Sequence, residues 1–425
     1  MTQEPKIFPY IAKLLNDEKV QYKTLGEVCD KIFAGGTPTS TKEEYYNGTI
    51  PWLRSGEINF NEIDKTEKTI TELGFSKSSA RWVRKNSVLL AMTGATVARS
   101  AVNNIKLTAN QSVCALETNE SIINYKYLYY CLANKYEALK NQGQGVLSSL
   151  NLTTIKKIPI PLPPLSVQQE IVRILDKFTT LEAELEAELD CRKRQYEYYR
   201  DTLLSYEGNE VEWKTLDQIS ENLDSKRQPI TSGLRTSGKI PYYGASGIVD
   251  YVEDYIFDGD FLLISEDGAN LLARNTPIAF SVSGKIWVNN HAHILKFRTY
   301  EERRFIEFYL NKTDLTPYIS GAAQPKLNKK NLNSIKFPLP PLEEQQRIVG
   351  ILDKFDTLVN SISEGLPREI ELRKKQYEYY REQLLSFPSS LRATPSSSLR
   401  AEGEAIQTSK ADSEAPRQTK TDALP

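Results

Sequence analysis

The sequence predicts an α+β fold in which two similar α/β domains are separated by two long helices, with a pseudo-two-fold internal repeat. Three observations carry that expectation. Short strings recur in one order. PLPPL (Pro161–Leu165 and Pro338–Leu342) and ILDKF (Ile174–Phe178 and Ile351–Phe355) share an offset of 177, and QYEYYR (Gln195–Arg200 and Gln376–Arg381) has an offset of 181. The stretches after each PLPPL carry helical apolar periodicity. The segments between the repeats differ greatly in sequence yet keep matching strand-like runs.

Residues 1–19 (MTQEPKIFPYIAKLLNDEK) read as a helical segment without the unbroken apolar stretch of a signal peptide. Residues 20–158 form the first variable domain. It opens on VQYKTL (Val20–Leu25) and contains two apolar strands, VLLAMTGAT (Val88–Thr96) and ANQSVCAL (Ala109–Leu116). Residues 159–206 carry the first long helix, in which Ser166 and Gln169 suggest a capping box. Its stripe of Ile171, Ile174, Leu175, Phe178, Leu181, Leu185, Leu189, Tyr196, Tyr199 and Leu203 predicts some 40 helical residues, ~60 Å long. A small repeat, EAEL-EAEL, lies inside it at Glu182–Leu189.

Residues 207–335 form the second variable domain, where VEWKTL (Val211–Leu216), FLLISEDGAN (Phe261–Asn270) and VNNHAHIL (Val288–Leu295) parallel the first. Residues 336–387 carry the second long helix, Glu343 to about Leu385, with Ile348, Ile351, Phe355, Leu358 and Ile362 on one stripe. The near-heptad spacing suggests that the two helices pack as a coiled coil. The offset rising from 177 to 181 predicts one extra turn in the second helix, and Gly365 and Pro367 should kink or break it there. LLNDEKVQYKTL (Leu14–Leu25) also resembles LLSYEGNEVEWKTL (Leu203–Leu216), which should bring the N-terminal segment beside the end of the second helix. Residues 388–425 contain no aromatic residue and are expected to be disordered.

Composition excludes several classes. The 425 residues carry 54 Lys+Arg against 55 Asp+Glu, a net charge of −1, so the chain is no polycation. Four scattered cysteines without a C-x-x-C pair argue against a disulfide scaffold or cysteine-bound zinc, and point to the reducing cytoplasm. No run approaches the ~18 apolar residues of a membrane span. Phosphate-loop, dinucleotide, nucleophile-elbow and zinc-helix motifs are all missing, so no catalytic residue, cofactor or metal is expected. His291 and His293 could chelate a metal from one strand face, but no acidic or cysteine cluster joins them; they otherwise read as strand residues or DNA contacts. Asp254, Asp258, Asp260, Glu266 and Asp267 read as a solvated acidic loop.

Two variable domains bracketed by long helices, each announced by P-L-P-P-L-x-x-Q-Q-x-I-V-x-I-L-D, resemble the specificity subunit of Type I restriction-modification enzymes over residues 20–387. That resemblance implies two target-recognition domains, each reading one half of a bipartite asymmetric site in double-stranded DNA. It implies an antiparallel coiled coil that sets the spacer and docks two adenine-methyltransferase subunits. The chain itself would be noncatalytic, with S-adenosylmethionine on the methyltransferase and ATP and Mg on the restriction (translocase/nuclease) subunits.

Charge by segment accords with this. Residues 20–164 carry a net +5 and 268–341 a net +7, whereas 207–267 carry −8 and the helical segments 165–206 and 342–387 carry −3 and −2. The basic stretches suit phosphate and the acidic helices suit protein docking. Asn and Gln can pair with adenine, and Arg or Lys with guanine. On those grounds the DNA-contacting candidates in the first domain are Trp52, Arg54, Thr93, Thr96, Arg99, Asn110, Gln111, Gln142 and Gln144. In the second they are Lys226, Arg227, Tyr242, Tyr243, Ser246, Asn289, Asn290, His291, His293, Gln324 and Lys326. Each could instead serve an ordinary loop, and Trp52 could be core. The rival readings are a noncatalytic coiled-coil protein-interaction scaffold, and a specificity partner of a methyltransferase without restriction activity.

Overall fold

The computed structural model describes residues 8–142, 149–206, 211–321, 324–388 and residue 391, so Gln144 and nearly all of the tail lie outside the described residues. The chain forms two compact units, residues 1–182 with 373–425, and residues 183–372. No described helix is long and apolar enough to cross a membrane.

The first unit begins with helix α1 (Pro9–Leu15) and strand β1 (Gln21–Thr24), followed by a single helical turn, α2 (Leu25–Val28). Thr24 starts that turn because the Glu27 carboxylate accepts from both its backbone N–H (2.7 Å) and its hydroxyl (2.6 Å). Strands β2 (Cys29–Ala34), β3 (Tyr46–Leu53), β4 (Glu62–Ile63) and β5 (Lys68–Ile70) precede a short helix α3 (Glu72–Ser76). Then come β6 (Trp82–Val83), β7 (Val88–Ala91), β8 (Ser100–Asn103), β9 (Leu107–Ala109) and β10 (Val113–Thr118). Helices α4 (Tyr125–Asn134), α5 (Tyr136–Gln142) and α6 (Leu152–Lys156) lead into β11 (Pro159–Leu162). The sheets are ordered β2-β10-β7-β8-β4 and β5-β3-β9-β6, and β1 pairs with β11. Every residue of β7 and β10 is buried because both faces of their sheet are covered. Val88, Leu90, Cys114 and Leu116 meet Leu128 and Leu132 of α4 on one face. Leu89, Ala91, Val113 and Ala115 meet Leu53 and Leu107 on the other, following the two-residue period of a strand.

Helix α7 (Leu165–Leu203) belongs to both units in turn. The second unit repeats the plan with β12 (Glu212–Thr215), the turn α8 (Leu216–Ile219), β13 (Glu221–Asn222), β14 (Ser237–Gly244), β15 (Gly247–Val252) and β16 (Phe257–Ser265). It continues through α9 (Asn270–Ala273), β17 (Ala279–Val288), β18 (Ala292–Lys296), α10 (Tyr300–Lys312), α11 (Lys329–Ser334) and β19 (Lys336–Leu339). Here one six-stranded sheet, β13-β18-β16-β17-β14-β15, replaces two. Strand β17 does the work of β8 and β9 together, pairing antiparallel with β16 and parallel with β14. The small sheets match residue for residue: Gln21 faces Leu162 and Thr24 faces Pro159, as Glu212 faces Leu339 and Thr215 faces Lys336.

The second long helix is two helices, α12 (Leu342–Asn360) and α13 (Gly365–Leu385). This corrects two expectations. The residues behind the shift from 177 to 181 do not add a helical turn, because Ser361–Glu364 leave the helix. Gly365 restarts the chain at φ +75°, which a side chain would strain, and Pro367 is tolerated because it sits in the first turn of α13. Ile362 accordingly leaves the stripe and is 85% exposed, while Val359 is buried. The expected capping box is also absent: α7 starts at Leu165, which puts Ser166 inside its first turn. Gln168 is the anchoring residue instead. Buried, it donates to the Pro163 carbonyl (2.8 Å) and accepts from the Asn124 N–H (2.9 Å); Gln345 likewise donates to the Pro340 carbonyl (2.8 Å).

The helices pack through the repeated motifs. In the first unit Phe178 stacks on Tyr380 with ring centroids 5.3 Å apart, and in the second Phe355 stacks on Tyr199 at 5.4 Å. ILDKF of one helix thus meets QYEYYR of the other in both units, the exchange expected of an antiparallel pair. The motif's aspartate ties each helix to its domain. Asp176 accepts from Lys126 (3.1 Å) and Tyr130 (2.6 Å) of α4, and Asp353 from Arg304 (2.8 Å) and Tyr300 (2.8 Å) of α10. The first unit also closes as its repeat suggested. Phe8 packs edge-on against Tyr380, Ile11 and Leu15 share a core with Leu384, Leu385 and Phe387, and the Val20 N–H donates to the Leu391 carbonyl (2.8 Å).

Candidate nucleic-acid interface

In each unit the strand ends converge on one corner, built from the same backbone bonds. In the first unit β3 and β9 run parallel, with Trp52 facing Thr108, and the Asn110 N–H donates to the Leu53 carbonyl (2.9 Å). In the second, β14 and β17 run parallel, with Tyr242 facing Trp287, and the Asn289 N–H donates to the Tyr243 carbonyl (3.0 Å). Asn110 and Asn289 each turn the chain, their side-chain oxygens accepting from the N–H two residues on, of Ser112 (3.2 Å) and His291 (2.8 Å). Beyond β7 and β16 the chain bonds the same two neighbours. Met92 N–H donates to the Ser112 carbonyl and its carbonyl accepts from Leu150; Glu266 does the same with His291 and Leu327. Gly94 and Gly268 follow, at φ +79° and +107°, values that favour glycine.

Equivalent corners carry different side chains. At the exposed tip Gln111 stands where Asn290 stands. Gln111 accepts a hydrogen bond from the Thr37 hydroxyl. Thr93 bridges to Ser149, and Asp267 to Lys326. Thr96 donates to the Ser55 carbonyl (2.9 Å), and Arg99 to Asn59 (2.8 Å). Arg54 is held by Glu57 and Glu67, which offset its charge. Gln142 ends α5, and Gln144 is outside the described residues. In the second unit Lys226, Ser246, Asn290, His291, Gln324 and Lys326 are exposed, and Tyr243 is half-buried with its hydroxyl pushed upward by burial.

Four of the DNA-contact candidates are buried, as the open core reading of Trp52 allowed, and a fifth, Arg227, is largely covered. Trp52 fills the core and donates to the Gly36 carbonyl (3.0 Å). Tyr242 is buried beneath the Arg235 guanidinium, 4.4 Å above its ring. Asn289 is buried. Arg227 donates to Glu266 (2.7 Å) and the Ala292 carbonyl (2.7 Å). His293, 1% exposed, joins Asp224 (2.7 Å) and the Leu327 carbonyl (2.7 Å), both acceptors. These side chains shape the corner from within.

Sequence reasoning missed Asp224 and read Glu266 as part of a solvated loop. Both are anchors. Burial raises the Glu266 carboxyl, but the bond from Arg227, the nearby His293 and the bond from Lys326 outweigh it and hold it below the usual range. Asp224 is also lowered: burial raises it, and the bond and charge of His293, with the Ile294 N–H and the Arg227 charge, together more than offset that. The signal was available in Asp224 and Arg227 at (i, i+3). Among the described residues no cluster of His, Cys, Asp and Glu could hold a metal ion.

A family model described as the Type I restriction modification DNA specificity domain matches the chain twice, over residues 17–190 and 209–372. The chain belongs to this family. As a specificity subunit it is the noncatalytic, DNA-recognising member of a Type I restriction-modification system. It is 34% identical to the EcoR124I/EcoR124II specificity subunit of Escherichia coli over 89% of this chain and 97% of that one. The EcoprrI specificity subunit, also of Escherichia coli, is 34% identical over 84% and 92%. The S subunit of M. genitalium shares the fold, with a TM-score of 0.58 at 18% identity over 91% of this chain and 100% of that one. Each of the two family matches spans one variable domain and part of the helical segment that follows it.

Proposed function

We propose that each corner of this specificity subunit reads one half of a bipartite, asymmetric target in double-stranded DNA. The observation that carries the reading is the pair of corners itself: one backbone frame, carrying Gln111 and Thr93 in one unit and Asn290 and Asp267 in the other. A duplicated frame presents two modules alike in shape, and different tips make the two half-sites different. Base contacts come from the exposed tips Gln111, Asn290, His291, Gln324 and Lys326, with Lys226, Thr93, Thr96, Arg99 and Ser246 around them. Trp52, Tyr242, Arg227, Asn289 and His293 position these from below. Helix α7 with α12 and α13 sets the spacer, and the acidic outer faces of the helices dock two adenine-methyltransferase subunits in the cytoplasm. Those partners hold S-adenosylmethionine, and the restriction subunits use ATP and Mg.

Mapping adenine methylation in cells that carry this chain and its partner methyltransferase tests the reading. A two-part motif with a fixed spacer is expected, and transplanting residues 211–335 from a relative should change one half alone. Methylation without a two-part motif would overturn it and favour a plain protein-interaction scaffold.

A further inference from the structure

A second feature repeats between the units and lies apart from the base-reading candidates. Each corner is followed by a short helix, α6 or α11, placed by the same bonds: Leu150 N–H to Met92 (2.8 Å), and Leu327 N–H to Glu266 (2.7 Å). Each is capped by an asparagine, Asn151 accepting from Thr154 N–H (2.8 Å) and Asn328 from Asn331 N–H (3.0 Å). Each is pinned by one wholly buried residue, Ile155 or Leu332. The opposite face is left to solvent, and it carries Thr153, Thr154, Lys156 and Lys157 in the first unit and Lys329 and Lys330 in the second. Lys329 leans toward the Lys226 turn, donating to Asn222 (3.0 Å).

The surrounding sequence is unusual in charge. No Asp or Glu occurs between Ala138 and Gln169 or between Leu315 and Leu342, in a chain with 55 acidic residues. Two acid-free stretches at equivalent places, each presenting exposed lysines beside a corner, mark a surface for a polyanion. Lys336 has no counterpart in the first unit, because Pro159 stands at its equivalent position.

We propose that α6 and α11 are phosphate-binding elements, in which Lys156 and Lys157, and Lys329 and Lys330, meet the DNA backbone beside each half-site. They fix the register of each domain on the duplex and read no base. The proposal rests on the half-site reading above. The two separate in one experiment on the full chain assembled with its methyltransferase. Binding to target duplex is followed from about 50 to 200 mM salt for the native complex and for the K156Q/K157Q and K329Q/K330Q variants, with thermal melts confirming folding. Each variant should lower the slope of log K against log salt by about 1.8, at roughly 0.9 for each phosphate no longer neutralised. The ranking of duplexes carrying single base-pair changes should stay as it is. An unchanged slope in either variant overturns the proposal, as does a changed ranking, which would make the lysines base readers. A native complex without sequence preference would refute the half-site reading, while the slopes would still judge the lysines.

Discussion

Asn289 and Asn290 are adjacent, identical in type and opposite in placement. Asn289 is buried with its oxygen on the His291 N–H, whereas Asn290 is exposed at the turn. Asn290→Ala should therefore leave the melting temperature unchanged and relax recognition at one base pair by about 1–3 kcal/mol, measured as methylation across substituted half-sites. Asn289→Ala should instead lower stability by about 1 kcal/mol in a thermal melt. Sequence alone placed both at the DNA, because residue type announces what a side chain can bond. It does not announce burial here, which follows from the parallel pairing of β14 with β17, where Tyr242 faces Trp287 far along the chain. Trp52, for which the sequence left a core role open, takes that role in the first unit, and Trp52→Ala should cost about 3–5 kcal/mol by opening a core cavity.

Among elements, the α10–α12 joint is held by a buried charge network. Arg304 bonds Glu307 (2.5 Å), Asp353 (2.8 Å) and Asp356 (2.9 Å). Its positive form is favoured strongly: burial opposes the charge, but Glu307 and Asp353 outweigh burial. Arg304→Ala would leave carboxylates without a counter-charge and should destabilise the second unit by roughly 3–5 kcal/mol, seen as an earlier unfolding transition. The corner of that unit should also be acid-sensitive. Asp224 and Glu266 have carboxyls lowered on folding, so their stabilisation is present above the ordinary carboxylate range and is lost as pH falls through their folded values. Protection of the Leu327 amide against hydrogen exchange, relative to its intrinsic rate, should fall on that acid side, while protection of Leu150, beside which no such cluster stands among the described residues, should not. The repeats and long helices were legible because a 3.6-residue period survives in the sequence. The break at Ser361–Glu364 was half legible: Gly365 and Pro367 signalled an interruption, but not that the additional residues would leave the helix.

On the scale of the whole molecule, α7 runs uninterrupted through both units, and the Phe178 and Tyr199 stacks are both mounted on it. Inserting a further EAEL unit after Leu189 should separate them by one turn, ~6 Å. Methylome sequencing should then show a longer spacer between unchanged half-sites; an unchanged spacer would refute the ruler role of the helix. The net charge of −1 is, at this scale, a sum of unlike parts, with the basic stretches 20–164 and 268–341 offset by the acidic stretch 207–267 and the acidic helical segments. The identical register of β1 with β11 and of β12 with β19 has a wider consequence. Each variable domain enters and leaves its unit through the same pair of strands, so either could be exchanged as a cassette without disturbing the joinery. A lineage holding n such cassettes could compose n × n ordered specificities by recombination, leaving the long helices as they were.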